Sequence, residues 1–266
     1  MADVEVSHWL LRQVAEKEST TATVAWLQRH LGDEHDVAGG AGELPPELAA
    51  AGTVRVPFTT MAALPYAAVG RLFMTRSNQE RSSCTAFLIG PDTAMTAAHC
   101  VMTPDGRWQH DLVFVTGLGT DALSARGVQC AVVHRDWGAI DAGMPPAIDY
   151  AILKIDGRLS QTHLGLVLDG DAVDVSIIGY RSDCCGSQML SLPIKKAAIS
   201  RKSSYFVSSN NPMGIGSSGS PWVSPASGKV ISLNAQYPKL GSRKLSGPRF
   251  DQRTRAMLQH IQSSCR

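Results

Sequence analysis

From about residue 53 onward the chain reads as all-β, entered through a short helical N-terminal segment and closed by a C-terminal helix. Three observations predict this. From Val54 the sequence breaks into short apolar runs, among them Ala86 to Ile89, Leu112 to Val115, Val173 to Ile178 and Lys229 to Leu233. Glycine, proline and asparagine punctuate the gaps, which is the texture of many short strands joined by turns. The two ends differ, because their apolar residues recur at the three- and four-residue spacing of a helix face.

Taken in order, Val6, Trp9, Leu10 and Val14 fall at helical spacing and Val24, Leu27 and Leu31 repeat it. Ser19 to Thr21 can cap and Gly32 can stop, so two short helices are expected. Small residues from Gly39 to Pro46 read as a linker, which divides residues 1–52 from a body over 53–266. Within the body, Tyr150, Ala151, Ile152 and Leu153 form a continuous apolar run and read as a buried strand. Pro221 suits a return to extended chain through Trp222 and Val223. Phe250 to Ile261 places Met257, Leu258 and Ile261 on one face, which predicts a terminal helix over about 250–264 packed on the second half of the body.

Three motifs carry chemistry. They are Thr96-Ala97-Ala98-His99-Cys100, Asp149-Tyr150-Ala151-Ile152-Leu153-Lys154 and Gly216-Ser217-Ser218-Gly219-Ser220-Pro221. A serine hydroxyl is a weak nucleophile until an imidazole removes its proton, which casts Ser218 as nucleophile and His99 as base. A carboxylate at a rigid strand entrance would fix the imidazole tautomer and stabilise the imidazolium, the role expected of Asp149. Asp136 and Asp141, close by in sequence, are alternative orienters, although neither opens an apolar strand. A carbonyl becoming a tetrahedral oxyanion needs backbone N–H donors at about 3 Å, and Gly216 and Ser218 are the expected donors. Gly219 relieves crowding at the sharp turn.

In these residues and this order, the sequence resembles the trypsin-like serine peptidases of chymotrypsin fold. It is most similar to the bacterial branch that includes the glutamyl endopeptidases, whose nucleophile segment also ends in Ser-Gly-Ser-Pro. The match begins around Val54-Arg55-Val56 and runs through Tyr66-Ala67-Ala68-Val69-Gly70 and Cys84 to Pro91 to Gly247-Pro248-Arg249. The resemblance implies two antiparallel six-stranded β-barrels, over about 53–158 and 159–249, with His99 and Asp149 in the first and Ser218 in the second. A polypeptide substrate would lie in the cleft between them. It also implies a Cys84–Cys100 disulfide bracing the histidine loop, and a pro-segment within residues 1–52, released by a cut between Gly39 and Val56; a permanent helical appendage is the other reading.

Two departures from the family bear on activation and specificity. Ser217 stands where the vertebrate digestive branch has an aspartate that pairs with a newly cut amine, so that activation salt bridge cannot form. Glutamyl endopeptidases place a histidine where this chain has Asn234, and trypsin-like specificity needs an acid where it has Pro212 and Met213. Substrate binding is therefore assigned to Pro212, Met213 and Asn234, with an apolar or small side chain preferred.

Composition agrees. The 266 residues, 44% of them hydrophobic, can bury a sizeable core. A formal charge of +2 points to no nucleic-acid partner, and no apolar run is long enough to span a membrane. Met1 to Glu18 lacks the basic start and apolar core of a secretory signal. Six cysteines nevertheless favour an oxidising compartment, so a secreted or periplasmic location is expected. Cys130, Cys184, Cys185 and Cys265 allow three pairings, and the adjacent Cys184 and Cys185 are not expected to bond because ordinary disulfides need wider Cα spacing. The absence of Cys-x-x-Cys argues against structural zinc, and His30 and His35 beside Asp33, Glu34 and Asp36 read as solvated side chains. No cofactor or metal is expected.

Overall fold

The computed structural model describes residues 9–13, 43–76, 78–139, 146–159, 162–202, 204–236 and 243–265. Its first strands are β1 (Trp9–Gln13), β2 (Val54–Arg55), β3 (Val69–Thr75), β4 (Arg81–Gly90) and β5 (Thr93–Thr96), followed by β6 (His110–Thr116), β7 (Ser124–His134) and β8 (Ala151–Ile155). A short helix, α1 (Pro46–Ala50), precedes β2. Strands β3 to β8 pair antiparallel in the order β7-β6-β3-β4-β5-β8, and an additional β7–β8 pairing closes the ring into a six-stranded barrel. Apolar runs such as Leu112 to Val115 and Ala151 to Leu153 are buried throughout, because one face fills the barrel and the other is covered.

Within the first predicted helix, the described residues form a strand instead. Trp9 to Gln13 runs antiparallel to His134 to Cys130 of β7. The physical reason is an unfilled edge. β6 pairs with β7 only from Ser124 to Gly127, and an edge strand's remaining N–H and C=O groups recruit an extended partner whatever its apolar spacing. The second predicted helix, Val24 to Leu31, lies outside the described residues.

The second lobe contains β9 (Val175–Gly179), β10 (Leu190–Ile194), β11 (Ile199–Arg201), β12 (Tyr205–Ser208), β13 (Pro221–Val223), β14 (Val230–Leu233) and β15 (Leu245–Pro248). They divide into a five-stranded sheet, β14-β13-β9-β10-β2, and a three-stranded sheet, β11-β12-β15, linked by a Gln236–Ser246 bridge. Where a second six-stranded ring is expected, the ladder breaks between two sheets of very short strands. β2 pairs with β10 of this lobe, although it lies among residues expected in the first barrel. Trp222, Phe206, Leu190 and Ile177 fill its core, and Leu48 of α1 joins them, fully buried.

The terminal helix, α2 (Gln252–Ser264), opens with a capping box between Asp251 and Thr254. Its main contacts are with β7 and β8 of the first barrel. Met257 and Ile261 join the core cluster to which those strands belong, Thr254 Oγ1 donates to the Tyr150 hydroxyl at 3.2 Å, and Phe250 meets Tyr150 edge-on at 5.8 Å between ring centres. Periodicity reveals which face of a helix is apolar, not which body it meets. A Cys130–Cys265 disulfide ties the helix end to β7, alongside Cys84–Cys100. Cys184 and Cys185 also bond each other, contrary to expectation, in a turn where Cys185 and Gly186 both take positive φ. Spacing statistics for ordinary disulfides do not cover this adjacent geometry.

Candidate active site

The pairing of β5 with β8 brings His99 and Asp149 together. Their antiparallel register sets Thr96 opposite Ala151, so the chain leaving β5 and the chain entering β8 lie side by side. His99 follows Thr96 by three residues, in a single 3-10 turn over Ala98–Cys100, and Asp149 precedes Ala151 by two. Asp149 is wholly buried, and His99 Nδ1 lies 2.9 Å from its Oδ2 and 3.1 Å from its Oδ1. The His99 backbone N–H also donates to Oδ1 at 3.1 Å, which fixes the carboxylate's orientation. Burial is the largest influence on the imidazole and pushes its pKa down. The Asp149 charge and hydrogen bond outweigh it, while nearby Arg76 opposes them, and the net shift is upward.

Ser218 sits on the turn between β12 and β13, flanked by Gly216 at φ +89° and Gly219 at φ +85°. Both glycines are needed. A β-carbon on Gly219 would overlap the Thr85 carbonyl and the Thr96 hydroxyl, and one on Gly216 would lie 2.6 Å from the Ser182 nitrogen. Thr85 joins the lobes: its N–H donates to Ser218 O at 2.8 Å, its hydroxyl donates to Gly216 O at 3.1 Å, and that hydroxyl accepts from Tyr180 N–H at 3.0 Å. Because Cys84 is bonded to Cys100, the same segment braces His99 as well. The sequence assigns Thr85 no role of its own, although a polar residue immediately ahead of the apolar run Ala86 to Ile89 is a usable signal.

His99 and Ser218 line one cavity of about 490 Å³ with Gly214, Ile215, Gly216, Met74 and Arg76. Among the described residues no hydrogen bond joins Ser218 Oγ to His99, a contact that often tightens only when substrate binds. The Sγ atoms of Cys84 and Cys100 also approach His99, but they are bonded to each other and offer no thiolate to a metal.

The residues assigned to substrate binding are placed elsewhere. Pro212, Met213 and Asn234 are buried and absent from the cavity wall. Asn234 Oδ1 accepts from Trp222 Nε1 at 2.7 Å and Asn211 Nδ2 at 2.9 Å, and its Nδ2 donates to Ser217 Oγ at 3.2 Å. Its side chain is consumed by the scaffold behind the Ser218 turn. Ile215 instead stands 66% exposed in the cavity, an apolar side chain held outward between two glycines. Of the alternative orienters, Asp136 is largely exposed and faces His134 at 3.6 Å, and Asp141 lies outside the described residues.

A closed β-barrel, a second β lobe, a terminal helix and a cavity on which a His–Asp pair and a serine converge define a chymotrypsin-like fold. The family model described as trypsin-like peptidase domain matches residues 84–233, more than half of the chain, and the chain belongs to that family of serine endopeptidases. Among solved structures it is similar to a thermostable serine protease, AL20, from an extremophilic microorganism, at 19% identity and TM-score 0.65, covering 78% of this chain and 100% of that one. It is similar to the protease Anisep from Arthrobacter nicotinovorans at 17% identity and TM-score 0.63, covering 74% and 96%. A Glu endopeptidase shares 16% identity at TM-score 0.62, covering 80% and 97%. At these identities the likeness is one of fold. A search of curated protein sequences returns no match.

Proposed function

We propose that the chain cleaves peptide bonds through an acyl-enzyme on Ser218. The observation that carries this reading is the buried Asp149 held 2.9 Å from His99 Nδ1 beside the cavity that Ser218 lines. Asp149 keeps the Nδ1 proton in place, leaving Nε2 to take the Ser218 proton as Oγ attacks the scissile carbonyl. The Gly216 and Ser218 N–H groups receive the oxyanion. His99 then passes the proton to the departing amine, and a water activated by the same imidazole hydrolyses the ester and frees Ser218.

Ile215 and Met74 in the cavity wall support an apolar or small side chain at the cleavage position. The three disulfides fit an oxidising compartment, which supports a secreted or periplasmic site of action. Residues before the linker are read as a pro-segment. Digestion of a mixed peptide pool followed by mass spectrometry tests the assignment. Cleavage products are expected from the wild type and not from Ser218→Ala. A catalytically silent binding protein is the reading that remains if neither cuts.

A further inference from the structure

A buried arginine that takes no part in the proton transfers stands under the loop leading to Ser218. Arg181 follows β9, and its side chain is only 9% exposed. Its Nε and Nη2 donate to the two oxygens of Asp183 at 2.7 and 2.6 Å, a bidentate fork. Its Nη1 donates to Glu47 Oε1 at 3.1 Å and approaches the Pro212 carbonyl at 3.4 Å. The guanidinium also lies against Gly214, where a β-carbon would come within 2.9 Å of Arg181 Cζ and Nε. Next door, Ser182 N–H donates to Ile215 O at 2.9 Å. Residues 212–216, which deliver the Gly216 donor, therefore rest on Arg181 and Ser182 along their length.

The other end of the network is equally fixed. Glu47 belongs to α1, whose neighbour Leu48 is fully buried in the second lobe's core, and β2 follows at once to pair with β10. Val56 N–H donates to Met189 O at 2.9 Å, so the chain is anchored from both sides of the turn. Arg181 is buried while Glu47 and Asp183 stand 40% and 38% exposed, so these pairs add little net stability and the fork matters for the geometry it imposes on the guanidinium. From the opposite side the loop is held by Ser217, whose hydroxyl donates to Gly214 O at 2.8 Å and accepts from Asn234.

We propose that Arg181 is a positioning residue for the oxyanion loop, clamped by Glu47 and Asp183, and that α1 belongs to the catalytic unit. The inference rests on Ser218 being the nucleophile. It supplies the route to competence that the missing aspartate at Ser217 leaves open, since the clamp needs no new amine terminus. An activating cut that preserves it falls on the N-terminal side of Glu47.

The test compares Arg181→Met, Arg181→Lys and Glu47→Gln in the full chain, with Lys195→Met as control because its pair with Asp174 is exposed. Arg181→Met is expected to lower kcat by about 10²-fold, the size of losing one oxyanion donor, with KM within about threefold. Affinity for a peptide boronate, which mimics the tetrahedral state, should fall in parallel with kcat. Arg181→Lys should recover part of the loss, and Glu47→Gln should show a smaller loss of the same kind. Hydrogen exchange gives a readout independent of activity: the Ser182 and Ser217 amides should exchange faster in Arg181→Met while the β9–β10 amides stay protected. If Arg181→Met exchanges throughout the lobe, Glu47→Gln decides by the same two amides. Unchanged exchange there, or losses confined to KM, would overturn the proposal. A wild type that neither cuts nor reacts while the exchange pattern holds would fault the peptidase reading and leave the clamp standing.

Discussion

Two disulfides in this chain should rank in opposite orders for stability and for activity. Cys130–Cys265 closes a separation of 135 residues and pins the end of α2 to β7, and neither cysteine lines the cavity. Cys84–Cys100 closes only 16, but its cysteines adjoin Thr85 and His99. Chain entropy assigns about 5 kcal/mol to the longer closure and about 3 kcal/mol to the shorter. An unfolding entropy of about 2.1 cal/mol/K per residue, taken over the 266 residues, turns these into Tm losses of about 9 °C and about 5 °C. The perturbation is the pair of double variants Cys130→Ala/Cys265→Ala and Cys84→Ala/Cys100→Ala. Calorimetry under identical scan rates reads the first order. Turnover of a peptide substrate well below each Tm reads the second, where the 84/100 variant should lose at least about tenfold because the imidazole and the Thr85–Ser218 contact both lose their brace. The 130/265 variant should stay within about twofold. Equal activity losses, or a larger Tm loss for the shorter loop, would refute the reasoning that one bond staples the fold and the other aligns the site.

Other outcomes follow from individual contacts. His99 is held above its ordinary pKa by Asp149 against opposition from Arg76, so Arg76→Gln should move the acid limb of kcat/KM to higher pH at low salt; a shift to lower pH would contradict that sign. Asp149→Asn should cut kcat by about 10⁴-fold, the size seen for the same exchange in a related triad, with a Tm measurement confirming that the fold survives. Gly219→Ala should cost about 2–4 kcal/mol in denaturant unfolding, because a β-carbon there overlaps Thr85 and Thr96 and the φ of +85° disfavours side chains. Asn234→His should not confer cleavage after glutamate, since this side chain points into the Trp222, Asn211 and Ser217 network; profiling with a peptide library would detect any gain.

The candidate site was legible because each of His99, Asp149 and Ser218 sits in a local pattern with its own chemical reason. Asp149 opens an apolar strand, His99 ends a run of small residues beside a cysteine, and Ser218 stands between glycines whose positive φ the turn requires. What stayed hidden depends on register and docking. The direction of the Asn234 side chain is decided by how β14 pairs with β13, where Pro221 meets Leu233, and no single strand reveals that parity. The strand at Trp9 to Gln13 exists because β7 offers an edge, and a five-residue segment carries too little periodicity to announce it. The face of α2 was readable from Met257 and Ile261, whereas its partner was fixed by Tyr150 and Cys130 over a hundred residues earlier. Arg181 had no signature at all. Its importance comes from Glu47 and Gly214, which the fold alone brings to it.

Activation of Ser218 by His99 and Asp149 is tested most directly with a fluorophosphonate probe that reacts only with an activated serine. Applied to the full-length chain and followed by peptide mapping, it should label Ser218, fail on Ser218→Ala, and react far more slowly with Asp149→Asn. Label that persists in Ser218→Ala, or a folded wild type that takes none with its N-terminal segment present or removed, would contradict the account.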